Sequence, residues 1–393
     1  MPRLALLVSL LAIVLAGAAS PAVARVRTGP SGTAFYTPPH KLSGKRHGDP
    51  IWVRSLRGSA ALRPASKNQL ILYRSVDASG KAVAVSGTIT LPKGKPPKGG
   101  WPVLTYAHGT TGIADICAPS RDGSALLTSY VYPDLARWLR AGYAVVRTDY
   151  QGLGTPGVHG YLVGVDEGRS VLDVVRAARK VDPSLGKRVI IAGHSQGGHA
   201  ALWAAGLAPR WTPDLDVRGT VAFAPASHIE AQSKVIATLS SPSGVSGLAA
   251  LILRGVDSAN PGKGFSSVLS PQGAALYPQT LTACLPALDS TSSFGGLAPA
   301  QIFNSGVDLG PLETALGQSD PEHLRIKTPL MIAQGTSDTT VFKAFTDQLD
   351  QELVKLGAKV DYKTYNGVDH GAIVKAADSD ALAFARRELR SSK

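Results

Sequence analysis

The chain has 393 residues, 44% hydrophobic and 18% charged: enough apolar matter for one large core or two domains, and too much for a disordered chain. Lys and Arg outnumber Asp and Glu 41 to 28, and the formal charge of +13 favours anionic surfaces such as membranes or acidic polymers. The cations are scattered, with no basic helix and no platform of interleaved aromatics, which argues against nucleic-acid binding.

Arg3 precedes an apolar run over 4–16, and Ala22-Val23-Ala24 closes it as a small-residue cleavage site. Residues 1–24 therefore read as a secretory signal peptide, and the chain as secreted, extracellular or periplasmic. The competing reading is a retained anchor, for which the run is short. An exported chain meets an oxidising compartment, so Cys117 and Cys284 read as a disulfide rather than two separate buried thiols. Their spacing fits no zinc motif.

Residues 25–67 are rich in Gly, Pro, Lys and Arg without clear periodicity, and read as an arm lying over the domain. A strand is expected at 69–75. At 82–91, Val83, Val85, Ile89 and Leu91 alternate with Ala84, Ser86, Thr88 and Thr90, the pattern of a strand with one covered face. The turn at 77–80 makes the two an antiparallel hairpin. From there the rhythm changes. Strands are expected at 103–107, 143–148, 189–193 and 220–224, with helices at 132–141, 166–180 and after Ser195. Alternation of this kind predicts a mostly parallel sheet with helices on both faces.

Residues 234–327 interrupt it. No Asp, Glu, Lys or Arg occurs over 235–253, and Asp289 alone occurs over 264–299. Pro242, Gly244, Gly247 and several serines break any membrane span. The stretch reads as a helical cap inserted into a core of 68–233 and 328–393, its charge-poor surface suited to an apolar ligand; a plain structural subdomain is the competing reading. A strand at 329–333, a helix at 341–356, a strand at 360–365 and a helix at 372–389 complete the core.

The chemistry centres on Gly193-His194-Ser195-Gln196-Gly197-Gly198, a Gly-x-Ser-x-Gly elbow between a β-branched strand and an alanine-rich helix. Ser195 must sit in a strained strand-to-helix turn, so Gly193 and Gly197 leave room where a Cβ would collide. A serine nucleophile needs a base and an orienting carboxylate, which in this fold follow in the order Ser, acid, His. Of nine histidines His370 fits that order best, in a loop just past a strand. Asp338 is the matching acid, with Glu230 its main rival and Asp369 too close in sequence to orient His370. Donors for an oxyanion are expected from the Gln196 N–H and from the Gly109-Thr110 turn, through Thr110 or alternatively Thr111. Asp149 and Tyr150 lie on the same sheet edge, where they could line the pocket or, for Asp149, serve as a buried structural carboxylate. No metal or cofactor is called for.

Together His108-Gly109-Thr110-Thr111-Gly112, Cys117-Ala118-Pro119-Ser120, 149–154, the elbow and the Asp338 and His370 loops make the chain resemble the secretory lipase family from about Phe35 onward. This group includes exported bacterial lipases and the Candida antarctica lipase A type. The resemblance implies an α/β-hydrolase with a helical lid that hydrolyses triacylglycerols or other carboxylic esters, possible partners being lipid at an oil–water or membrane interface. Fungal members carry an acidic residue near the oxyanion turn where this chain has Thr110-Thr111, a departure that bears on whether their acyl preference carries over. Competing functions are an esterase for polymer or plant esters, a peptidase of the same fold, and a non-catalytic surface-binding protein.

Overall fold

Nine strands form one sheet in the order β1-β2-β3-β5-β4-β6-β7-β8-β9 in the computed structural model, which describes residues 26–391 apart from 43 and 122. The expected signal peptide at 1–24 lies outside the described residues. The strands are β1 (Pro50–Ser55), β2 (Lys67–Val76), β3 (Ala82–Leu91), β4 (Trp101–Ala107), β5 (Ala144–Thr148), β6 (Leu185–His194), β7 (Asp216–Phe223), β8 (Leu330–Gly335) and β9 (Val360–Tyr365). The first three and β5 pair antiparallel, and every pairing from β5 across to β9 is parallel.

The parallel strands are apolar at nearly every position because both faces are covered. Val103, Val146, Val189 and Ile191 pack with α2 (Gly164–Val181) and α3 (Gln196–Trp211), while Leu104, Val145, Ile190 and Ala192 pack with α1 (Tyr132–Arg140) and the C-terminal helix Ile373–Arg390. Each fully buried Val, Ile or Leu contributes about 1.5–3 kcal/mol. On α3, Ala200, Ala201, Ala204 and Ala208 are small side chains that let the helix lie close on the sheet, while Leu202 packs with Ala222 and Ile332.

Two expectations need correction. β3 is covered on both faces: Ser86, Thr88 and Thr90 are as buried as Val85 and Ile89. Alternation misleads here because the hydroxyls are satisfied internally. Ser86 donates to Asp149, Thr90 to Asn68, and Thr88 accepts from Arg147. The arm, in turn, is part of the sheet. β1 adds an edge strand on β2, and Phe35, Tyr36 and Ile51 pack into a cluster with Leu70 and Leu72. β1 is short and carries Pro50 and Arg54, so periodicity could not reveal it.

Between β7 and β8 the chain leaves the sheet for a run of short helices: α4 (Ile229–Ile236), α5 (Val245–Ala259), α6 (Pro271–Leu276), α7 (Leu285–Leu288), α8 (Pro299–Ile302) and α9 (Gly310–Gly317). These build a core of their own from Leu251, Leu253, Phe294, Ile302 and Leu316, set on Ile113, Tyr161 and Leu162 of the sheet domain. Proline stands in the first turn of α6, α7, α8 and α9, where its missing N–H costs nothing. Cys117 and Cys284 form a disulfide with Cα atoms 5.5 Å apart, tying α7 to the loop after β4. The sheet domain then resumes through α10 (Lys343–Lys355), and the C-terminal helix is α11 (Ile373–Arg390). Among the described residues no helix is long and apolar enough to cross a membrane.

Candidate active site

β6 ends at His194, α3 starts at Gln196, and the single residue between them carries the turn. Ser195 has φ 58° and ψ −119°, a conformation that L side chains rarely adopt and that costs about 1–3 kcal/mol. The turn is held from outside: Ser195 N–H donates to Phe223 O at 2.9 Å, and its carbonyl accepts from His199 N–H at 3.1 Å. A Cβ on Gly193 would lie 2.0 Å from Gly197 O, and one on Gly197 would lie 2.0 Å from Ala107 O. Both contacts are with backbone, so neither position admits a side chain. Gly198 is the same kind of site, 2.8 Å from Pro225 Cα. At Gly109 the added carbon would meet the Tyr130 hydroxyl at 3.0 Å and His194 Nδ1 and the His194 carbonyl oxygen at 3.3 Å, a looser fit.

Ser195, Thr110, Gly109 and His370 line one cavity of about 590 Å³. The insertion supplies its apolar wall with Ile236, Leu239, Val245, Leu248 and Leu285, and Tyr130 and Phe342 stand at its side. A larger cleft of about 840 Å³, lined by Arg54, Arg57 and Arg121, opens elsewhere against α7 and holds neither Ser195 nor His370. Volume alone would choose the wrong site; the chemistry lies in the smaller one.

His370 Nδ1 donates to Asp338 Oδ2 at 2.7 Å, which leaves Nε2 as the basic nitrogen. Asp338 is fixed by further donors: Thr340 N–H at 2.9 Å and Val341 N–H at 2.8 Å on Oδ1, and Gln334 Nε2 at 3.1 Å on Oδ2. Burial pushes the Asp338 carboxyl up, but the His370 hydrogen bond and charge and these N–H groups outweigh it and hold it below the usual carboxylate range. Glu230, the rival acid, instead pairs with Lys234 at 2.8 Å on α4. Asp369 accepts from Ala372 N–H at 2.8 Å.

The Gln196 N–H lies in the first turn of α3, where backbone donors have no helical acceptor. Thr110 faces the cavity, its hydroxyl 2.7 Å from the Tyr161 hydroxyl. Thr111 is buried outside the cavity lining, and its carbonyl accepts from Leu285 N–H at 2.9 Å.

Asp149 and Tyr150 do not line this cavity; of the two readings offered for Asp149 the structure shows the buried carboxylate. Both are buried as struts: Asp149 accepts from Ser86 Oγ at 2.6 Å and Ser120 N–H at 2.9 Å, and Tyr150 donates to His108 O at 2.8 Å. The turn after β5 points these side chains back under the sheet edge, with Tyr150 at φ 69°.

Three contributors were missed. His194 Nε2 donates to His370 O at 2.8 Å, and its Nδ1 accepts from the Tyr130 hydroxyl at 2.6 Å. Burial, then the neighbouring His370 charge, lowers His194 to about 3, so this neutral tautomer persists and braces the His370 loop. Glu167, wholly buried on α2, accepts from Gln196 Nε2 at 2.7 Å and from His199 Nδ1 at 3.0 Å. His199 also donates Nε2–H to Ser319 O at 2.7 Å. Two acceptors require both protons; burial opposes the charge, yet Glu167 outweighs it and raises His199. The available signal was a run of polar residues, His194, Gln196 and His199, at buried positions beside the elbow.

Comparisons with known proteins agree with this architecture. A family-level match, to secretory lipases, spans residues 121–390. Lipase A of Moesziomyces aphidis is 29% identical over 197 residues, covering 47% of this chain and 41% of the fungal protein. A probable inactive lipase of Mycobacterium tuberculosis is 27% identical over 364 residues, 85% of this chain and 76% of its own length. Among solved structures, Candida antarctica lipase A in its closed state superposes with a TM-score of 0.75 at 22% identity, over 90% of this chain and 85% of that one. The rice cell wall degrading esterase LipA from Xanthomonas oryzae gives 0.70 at 17% identity, over 88% of this chain and 99% of that one.

Proposed function

Because the chain belongs to the secretory lipase family, a family of carboxylic ester hydrolases with the α/β-hydrolase fold, we propose that it hydrolyses aliphatic acyl esters, triacylglycerols included, through a Ser195–His370–Asp338 triad. One observation carries the reading: the His370–Asp338 hydrogen bond of 2.7 Å opens onto the cavity that holds Ser195.

His370 Nε2 takes the Ser195 hydroxyl proton as Oγ attacks the ester carbonyl. The carbonyl oxygen becomes an anion, received by the Gln196 N–H and the Thr110 N–H. His370 then protonates the departing alcohol, and water, activated by the same nitrogen, releases the acid from Ser195. Asp338 stays ionised, orients the ring and offsets the imidazolium charge. The apolar wall from the insertion suits an acyl chain, and the reading takes that insertion as a lid.

We further propose export with loss of residues 1–24, which agrees with the Cys117–Cys284 disulfide. Intact-mass measurement on secreted protein would read this directly. The decisive experiment is hydrolysis of an acyl series from acetate to triolein, with and without an oil–water interface, on parent and Ser195→Ala. Ser195→Ala should cost about 10⁶-fold in kcat with an unchanged melting profile. Retained turnover, or failure of the parent to react with a fluorophosphonate, removes the reading; a maximum at acetate would favour a short-chain esterase over a lipase.

A further inference from the structure

Away from the cavity, three segments of the fold converge on His228, Glu322 and Glu352. His228 follows β7 at the foot of α4, where the chain leaves the sheet domain. Glu322 lies in the 3-10 turn Pro321–His323, where it returns, and Glu352 is on α10 of the sheet domain. His228 Nε2, one oxygen of Glu322 and one of Glu352 all lie within 4.8 Å of one another. Nε2 is 3.0 Å from Glu352 Oε2 and 3.8 Å from Glu322 Oε1.

Those separations suit a shared ion. Tetrahedral zinc with bonds of about 2.0–2.2 Å keeps its ligand atoms roughly 3.3–3.6 Å apart, a value that the two distances bracket. The charge balance points the same way. Two carboxylates share one imidazole, and among the described residues neither Glu322 nor Glu352 forms an ion pair with a lysine or arginine. His228 is 5% exposed, the Glu322 side chain 11% and the Glu352 side chain 29%, so the charge on Glu322 in particular is poorly solvated. The remaining polar atom of each side chain is also held. His228 Nδ1 faces Ser227 Oγ at 3.3 Å, Glu352 Oε1 accepts from Gln348 Nε2 at 2.9 Å, and Glu322 Oε2 accepts from His228 N–H at 3.4 Å. Such outer contacts orient metal ligands and set the imidazole tautomer.

We propose that His228, Glu322 and Glu352 bind a divalent transition-metal ion, zinc being the best fit, with water as a fourth ligand. An imidazole in the set disfavours calcium and magnesium, which take oxygen ligands. The ion would fasten both ends of the insertion to α10. It lies apart from Ser195 and His370, so the proposal stands or falls independently of the catalytic reading. The competing state is a metal-free His228 held to Glu352 by a hydrogen bond through Nε2.

The test is calorimetric titration of the EDTA-treated, full-length secreted protein with zinc chloride, with cobalt(II) absorption reporting tetrahedral geometry. Parent, Glu352→Gln, Glu322→Gln and, as control, Asp338→Asn are compared, each checked for fold by circular dichroism. One zinc per chain is expected, with a rise of about 4 °C in Tm at a hundredfold excess over Kd. Either glutamine variant should weaken binding about a hundredfold or more and remove the Tm rise, while Asp338→Asn keeps both. Two isosteric variants on different segments guard against one failing to fold. Absence of stoichiometric zinc binding, or binding that both glutamine variants retain, overturns the proposal and leaves the metal-free hydrogen bond between His228 and Glu352.

Discussion

The elbow and the insertion face each other across one cavity, yet the two walls differ in how tightly they are built. Around Ser195 nearly every atom is fixed by backbone contact: Gly193 and Gly197 each have a carbonyl oxygen 2.0 Å from where a Cβ would be. Across the cavity Gly244, at the start of α5, has φ −63° and nothing within 4 Å of an added Cβ. The sheet side specifies positions to fractions of an ångström, as acyl transfer demands. Where it lines the cavity the insertion supplies apolar surface and volume, and there an open position such as Gly244 tolerates exchange. Its own interior is tight, an added Cβ on Gly295 lying 1.9 Å from Asp289 O. On the proposed function, reaction type would then rest on the elbow side and substrate preference on the apolar wall of the insertion.

The harshest way to expose that contrast is a pair of alanines. Gly197→Ala must displace the β4 backbone or α3 and should cost more than about 4 kcal/mol, leaving little folded protein. Gly244→Ala should fold normally and gain up to about 1 kcal/mol from a stiffer unfolded chain. Urea denaturation of the pair reads both; equal midpoints would break the comparison. Next in size is Asp338→Asn, which alters chemistry without packing. It should lower kcat about 10⁴-fold with KM little changed, since the amide cannot hold His370 in the tautomer that accepts a proton. Glu230→Gln should leave kcat unaltered, because Glu230 faces Lys234; a larger loss there than in Asp338→Asn would move the acid.

Sequence and structure agree best where one local rule dominates. The elbow was legible because a strained turn, two obligatory glycines and a following helix leave few residue choices. The alternating strands and helices of the sheet domain were legible because two-sided burial forces apolar runs. β1 was not, since an edge strand needs no alternation. Sequence left Asp149 open between pocket and buried strut, and placed Tyr150 at the pocket, because position on a sheet edge does not fix side-chain direction; the turn after β5 aims both inward. Glu167 was invisible for a different reason. A charged residue within an amphipathic helix reads as solvated, and only the fold reveals that Gln196 and His199 converge on it.

A milder change tests the tolerant side. Leu248→Ala removes apolar surface from the cavity wall without touching the triad. It should raise KM about tenfold for long-chain esters and leave acetate esters almost unaffected, as expected when a few buried methylenes are lost. A uniform loss of kcat across the acyl series would mean that the insertion takes part in positioning the reacting atoms.

The smallest effect concerns Asp289, the one acidic residue over 264–299 and part of the cavity wall. Its Oδ1 is buried without a hydrogen-bond partner, and burial pushes its carboxyl up to about 6. The folded state therefore holds a proton that the unfolded chain, with a carboxyl near its ordinary value, releases earlier. Between about pH 4 and pH 6 the folded state binds more protons, so stability falls as pH rises through that window. Asp289→Asn removes the ionisation and should be more stable than the parent at pH 7, with the advantage shrinking to nothing below about pH 4. Urea midpoints of both proteins from pH 4 to pH 8 measure it. A constant offset at every pH would show that packing against Gly247, rather than a buried charge, sets the difference.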